Sequence, residues 1–141
     1  MIGRKAKDGD DDDEGCNENE GDYKTFLPCT LEDTVTVGML DTGNTFYSVM
    51  SEELARAVGA DLNNLRRVPG KETVGTASDG EELEVIGQVR KRLVMRLSAA
   101  TRPLYIKPMV VRGLSMTLNL SGPWMAKHGM TIDPGRNLVY D

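Results

Sequence analysis

The chain of 141 residues is poor in the side chains that most often carry chemistry. It has one histidine, His128, which argues against a His-dependent nucleophilic triad and against most zinc sites. Its two cysteines, Cys16 and Cys29, fall in very different surroundings, an acidic stretch and a strand-like one. They form neither a disulfide framework nor a metal-ligand spacing, and a reduced compartment is the expected setting. Aromatic residues make up only 5% of the chain, with a single tryptophan, Trp124. No apolar stretch is long enough to span a bilayer and no secretory signal is visible, so no membrane partner is expected. The basic clusters Arg66-Arg67 and Arg90-Lys91-Arg92 are short. These read as exposed faces, and no nucleic-acid partner is expected.

What the chain does have is unevenly distributed. Between Asp8 and Asp22 there are nine acids and no base. With Arg4, Lys5 and Lys7, residues 1–22 carry a net charge of −6, whereas fourteen bases and thirteen acids give the remainder +1. A run of this kind repels itself and offers nothing to bury, so residues 1–22 read as a disordered acidic tail. The plain reading of that tail is a solvated leader or a linker remnant. The sharper one is an inhibitory or partner-binding segment. Residues 23–141 are of a size for one domain.

The most informative stretch lies early in that domain. Thr34-Val35-Thr36-Val37 alternates polar and apolar, as a half-buried strand does. Gly38-Met39-Leu40 then runs apolar into Asp41-Thr42-Gly43-Asn44. A buried strand ending on an acid, a hydroxyl and a glycine is suited to hold a carboxylate rigidly at the floor of a cleft. The tripeptide alone also fits an ordinary turn in which Asp caps the following backbone. The segments that follow decide between the two. Residues 51–59 read as a short helix capped by Ser51, with acids in its first turn and Gly59 at its end. Residues 71–89 read as a β-hairpin with Ser78-Asp79-Gly80 at its tip. Leu118 to Met125 leads into a second short helix, with Pro123 at a first helical position, Ser121 or Gly122 near the cap, and Gly129 at the end. Thr131-Ile132-Asp133 closes the domain as a strand. His128, near that helix end, is placed to stabilise the C-terminal dipole. The methionines, Met39, Met50, Met95, Met109, Met116, Met125 and Met130, read as core or cleft filler.

In this order the segments resemble a retropepsin-type aspartic protease of the long-terminal-repeat retrotransposon kind, over residues from about 25 to 140. Leu40-Asp41-Thr42-Gly43-Asn44 matches the signature strand. The hairpin closing with Val85-Ile86-Gly87 matches the flap, and Leu120-Ser121-Gly122-Pro123-Trp124-Met125 then Ile132-Asp133 match the C-terminal part. Two positions depart from the family pattern: Asn44 stands where Ala or Ser is usual, and Ser121 where a large apolar residue is common.

The resemblance implies a mainly β, closed retropepsin-like barrel with a flap hairpin and one or two short helices, active as a homodimer. It implies Asp41 as the catalytic residue of each subunit, supported by Thr42, Gly43 and Asn44. Thr42 would bond across the two-fold axis and Gly43 would let the backbone approach the carboxylate. The amide of Asn44 would donate to the outer oxygen of Asp41. Ala77, Ser78, Asp79 and Gly80 would form the flap over substrate. Leu120 and Gly122 would lie under the site, the glycine permitting close backbone approach. No metal or other cofactor is implied. The implied substrate is an extended peptide, with polyprotein processing in the cytoplasm or a virus-like particle as the setting. A non-catalytic dimerisation or peptide-binding module of the same fold is the first alternative. The protease domain of a ubiquitin-shuttle protein is the second.

Overall fold

A computed structural model describes residues 24–75, 81–97, 102–133 and 137–140. The acidic segment 1–22 and the hairpin-tip residues 77–80 therefore lie outside the described residues. The described chain is mainly β, with two short helices.

The chain opens with an antiparallel pair, β1 (Lys24–Leu31) and β2 (Thr34–Asp41), in full register from Leu31–Thr34 to Lys24–Asp41. Only Glu32 and Asp33 join them, and both have positive φ, 49° and 69°. That is the backbone a two-residue hairpin needs to match the strand twist, supplied here without glycine or asparagine. The turn is held from outside: the Glu32 N–H donates to the Val94 carbonyl at 2.9 Å, and the Val94 N–H donates to Glu32 Oε2 at 2.7 Å.

Strand alternation sends Leu27, Cys29 and Leu31 inward from β1 and leaves Phe26 and Pro28 outside. Pro28 falls just outside the ladder that β1 forms with β6 (Leu93–Leu97), which begins at Cys29, so its missing N–H costs that ladder nothing. Then come β3 (Val49–Ser51), α1 (Glu52–Ala57), β4 (Thr73–Gly75), β5 (Glu82–Gln88), β6, β7 (Leu104–Ile106), β8 (Met109–Val111) and β9 (Leu118–Ser121). The last elements are α2 (Gly122–Lys127), β10 (Met130–Asp133) and β11 (Asn137–Tyr140).

Nine strands form one sheet in the order β4-β5-β8-β3-β9-β2-β1-β6-β7, and β10 and β11 pair separately. The edge strand β7 and the distant β8, third from the opposite edge, are joined only by Lys107 and Pro108, so the sheet has to curl until its β7 edge comes round to β8. The seam is pinned there: Gln88 Nε2 donates to the Lys107 carbonyl at 2.9 Å, and the Val89 N–H to the Pro108 carbonyl at 3.2 Å. The enclosed core centres on Leu31, Leu40, Met50, Met95, Leu118 and Leu120, all fully buried.

Both helices begin on a serine at the end of a strand. Ser51 Oγ accepts from the Leu54 N–H, and Ser121 Oγ from the Trp124 N–H. Each satisfies one amide left unpaired in a first helical turn. Gly59 and Gly129 follow the two helices at positive φ, where a glycine stop is expected. Ser121 thus occupies its departure from the family pattern as a buried cap. Its N–H also donates to Ser48 Oγ at 3.0 Å. His128 is the C-cap of α2, its Nδ1 2.9 Å from the Trp124 carbonyl oxygen and its ring against Trp124. Trp124 in turn ties α2 to β7 by donating from Nε1 to the Tyr105 carbonyl.

Candidate active site

Asp41 is the last residue of β2, an inner strand paired with β1 on one side and, in parallel, with β9 on the other. Leu40 points into the core opposite Leu120, so its neighbour Asp41 turns to the opposite face, where Met39 and Asn119 are register partners. The buried stretch Gly38-Met39-Leu40 of β2 carries the carboxylate to a half-exposed position.

Both carboxylate oxygens already have a donor within the subunit. The Gly43 N–H donates to Oδ1 at 2.9 Å, and Asn119 Nδ2 donates to Oδ2 at 3.0 Å. The Asn44 N–H closes a turn on the Asp41 carbonyl at 3.0 Å, which leaves Thr42 and Gly43 exposed at its crest.

Asn44 differs from the sequence expectation. Its side chain does not reach Asp41. Nδ2 donates to the Tyr47 carbonyl at 2.8 Å and to Asn119 Oδ1 at 2.9 Å, while Oδ1 accepts from the Phe46 N–H at 3.0 Å. The carbonyl of Asn44 accepts from the Gly122 N–H at 2.8 Å, joining the signature loop to the start of α2. The amide that does touch the carboxylate belongs to Asn119. Sequence reasoning missed it because nothing local in Leu118-Asn119-Leu120-Ser121 says which residue of β2 it faces. A buried amide in an otherwise apolar strand was the available signal.

Leu120 is fully buried beneath the site. At Gly122 an added Cβ would stand 3.5 Å from the Asn44 carbonyl oxygen and 3.9 Å from that of Thr42, ordinary contact distances. Close approach therefore does not require glycine here. The flap residues Ala77, Ser78, Asp79 and Gly80 lie outside the described residues, but the strands leading to and from them, β4 and β5, pair through Thr73–Glu84, Val74–Leu83 and Gly75–Glu82. Val74, Leu83 and Val85 pack with Tyr47 and Leu114 on a second apolar cluster of Val49, Met109 and Val111. That cluster anchors the hairpin base next to the signature loop. Cys29 lies apart from the site. Burial pushes its thiol up to about 11 from an ordinary value of 9.0, against the opposing effect of a backbone hydrogen bond with Gly38.

No known protein-family model and no curated protein matches the sequence. Solved structures do match the fold. The retroviral protease-like domain of Ddi1 from Leishmania major superposes with a TM-score of 0.61 at 21% identity, over 82% of this chain and 86% of that one. A retropepsin-like aspartic protease from Rickettsia conorii gives 0.55 at 18% identity, over 98% and 89%. The EIAV protease complexed with the inhibitor HBY-793 gives 0.53 at 16% identity, over 74% and 86%. The described chain therefore has the retropepsin-like fold.

Proposed function

We propose that the chain is an aspartic-type endopeptidase that works as a homodimer, each subunit contributing one Asp41. The observation that carries this reading is the presentation of Asp41: a rigid strand end in a retropepsin-like fold, with an amide donor on each carboxylate oxygen. A single subunit offers one such carboxylate, and water activation by a carboxylate pair needs two.

In the dimer the two copies of Asp41 face each other across a two-fold axis, an isologous arrangement. Carboxylates about 3 Å apart cannot both ionise, so the pair shares one proton, as in aspartic proteases generally. The ionised member takes a proton from a water held between them. The protonated member polarises the scissile carbonyl. The resulting tetrahedral diol collapses as a proton passes to the leaving nitrogen. Thr42, exposed beside the carboxylate, bonds to the partner's backbone across the axis. An extended peptide lies in the cleft as an added strand, and the segment carrying Ala77, Ser78, Asp79 and Gly80 closes over it. Polyprotein segments are the substrates this reading favours.

The likeness to the Ddi1 domain favours a second reading, in which the same domain acts within a longer protein of the Ddi1 kind. Incubation with a precursor spanning both termini, with cuts mapped at several pH values, tests the first reading. Asp41→Asn removes both carboxylates of the dimer at once. It abolishes cleavage while the circular dichroism spectrum and the dimer persist. Substantial hydrolysis by that variant, free of contaminating protease, overturns the mechanism.

A further inference from the structure

The geometry points to Asn119 as a positioning residue for Asp41, oriented by Asn44 through a one-way chain of amide donors. The role rests on the peptide hydrolysis proposed above.

The chain starts from the backbone. The Phe46 N–H donates to Asn44 Oδ1, and Asn44 Nδ2 donates to the Tyr47 carbonyl. A backbone donor on one end of the amide and a backbone acceptor on the other leave Asn44 a single orientation; the flipped amide would lose both bonds. Asn44 Nδ2 then donates to Asn119 Oδ1, which fixes the second amide in turn and leaves Asn119 Nδ2 to donate to Asp41 Oδ2. Asn119 is buried, with 8% of its surface exposed, so water competes little for these bonds.

On β9 and the start of α2 the neighbours of Asp41, Asn119, Ser121 and Gly122, are uncharged, as are Thr42, Gly43 and Asn44 in the loop. On β1 its register partner is the basic residue Lys24. The relay thus fixes the rotation of the carboxylate in the isolated subunit, before any second copy arrives.

The test uses two variants and two readouts. Asn119→Leu keeps bulk at a position flanked by Met39 and Val49, and Asn44→Ala leaves Asn119 in place but unoriented. Each lowers kcat about tenfold with KM within about twofold, the split expected of a group that orients the reacting carboxylate and does not touch substrate. The double variant is no worse than the poorer single one, because both break one chain. Strictly additive losses, or losses that appear in KM alone, overturn the relay.

The second readout needs no catalysis. The side-chain amide resonance of Asn119, identified by its loss in Asn119→Leu, shifts in Asp41→Asn and again in Asn44→Ala, because both variants remove a direct hydrogen-bond partner of that amide. An amide resonance unchanged in both variants overturns the relay even where peptides are cleaved. A shifted amide in a protein that cleaves nothing supports the relay and refutes the proposed hydrolysis instead.

Discussion

Gly87 passes so close to Leu65 that a Cβ built on it would stand 2.7 Å from the Leu65 Cβ and 3.2 Å from the Arg66 carbonyl oxygen. Gly87 also has φ 155° and sits where the β5–β8 register shifts between Val85 and Gly87. The same bend lets Arg66 and Gln88 exchange backbone hydrogen bonds at 2.8 and 2.9 Å. Gly87→Ala therefore combines backbone strain with an overlap that no rotamer relieves. Its expected cost is about 2 to 3 kcal/mol in urea unfolding. An unchanged midpoint with an unchanged m value would show that the 60s segment moves aside freely.

Ser121→Ala removes the cap of α2 and the partner of the Ser48 hydroxyl in one step. An N-cap substitution of this kind lowers stability by about 1 to 2 kcal/mol. Ser121→Thr keeps the hydroxyl but adds a methyl group at a site only 1% exposed, so it recovers part of that loss. A double-mutant cycle with Ser48→Ala separates the cap from the serine pair. Full additivity would leave the cap as the whole effect.

Cys29 gives a stability change at alkaline pH whose sign is fixed. Its thiol titrates near 11 in the folded chain against 9.0 ordinarily, so folding favours the protonated, neutral form. The contribution is complete below about pH 9 and disappears as pH rises through about 11. Unfolding free energy therefore declines over that interval, and Cys29→Ala shows a flatter dependence there. Iodoacetamide at pH 8 modifies Cys29 only in the unfolded chain, because alkylation needs an exposed thiolate. Peptide mapping after labelling with and without urea reads this directly.

Deleting residues 1–22 leaves kcat/KM within about threefold, the outcome expected of a segment whose nine acids between Asp8 and Asp22 leave it little to bury. A large gain in activity on deletion would instead mark the segment as inhibitory.

Much of this architecture was legible because its signals are local. Ser51 and Ser121 announce their helices by the chemistry of an unpaired amide, and Gly59 and Gly129 announce the ends. The alternation from Thr34 to Val37 and the apolar run into Asp41 mark β2 as a strand, but the faces of its first half are the reverse of the expected ones: Thr36 is buried, with its hydroxyl beside that of Thr117, and Val35 and Val37 are exposed. What stayed hidden depends on partners distant in sequence. The Glu32-Asp33 turn has no residue that favours positive φ as glycine does, and is held by Val94 of β6. Asn44, adjacent to the motif, suggested a bond to Asp41. It serves the loop instead, because Tyr47, Phe46 and Asn119 claim all its side-chain polar groups first. Asn119 becomes meaningful only through the β2–β9 register, which pairs Met39 with Asn119 and Asp41 with Ser121.

The parallel pairing of β2 with β9 also sets a time order on the molecule. Residues 34–41 leave the ribosome long before residues 118–121, and loop closure over such a separation is slow compared with forming the β1–β2 hairpin. Until β9 docks, Asp41 has its glycine donor but not Asn119, and β2 presents a bare edge on that side. The motif is written in the first third of the chain, but the carboxylate is set only once the last quarter has folded against it.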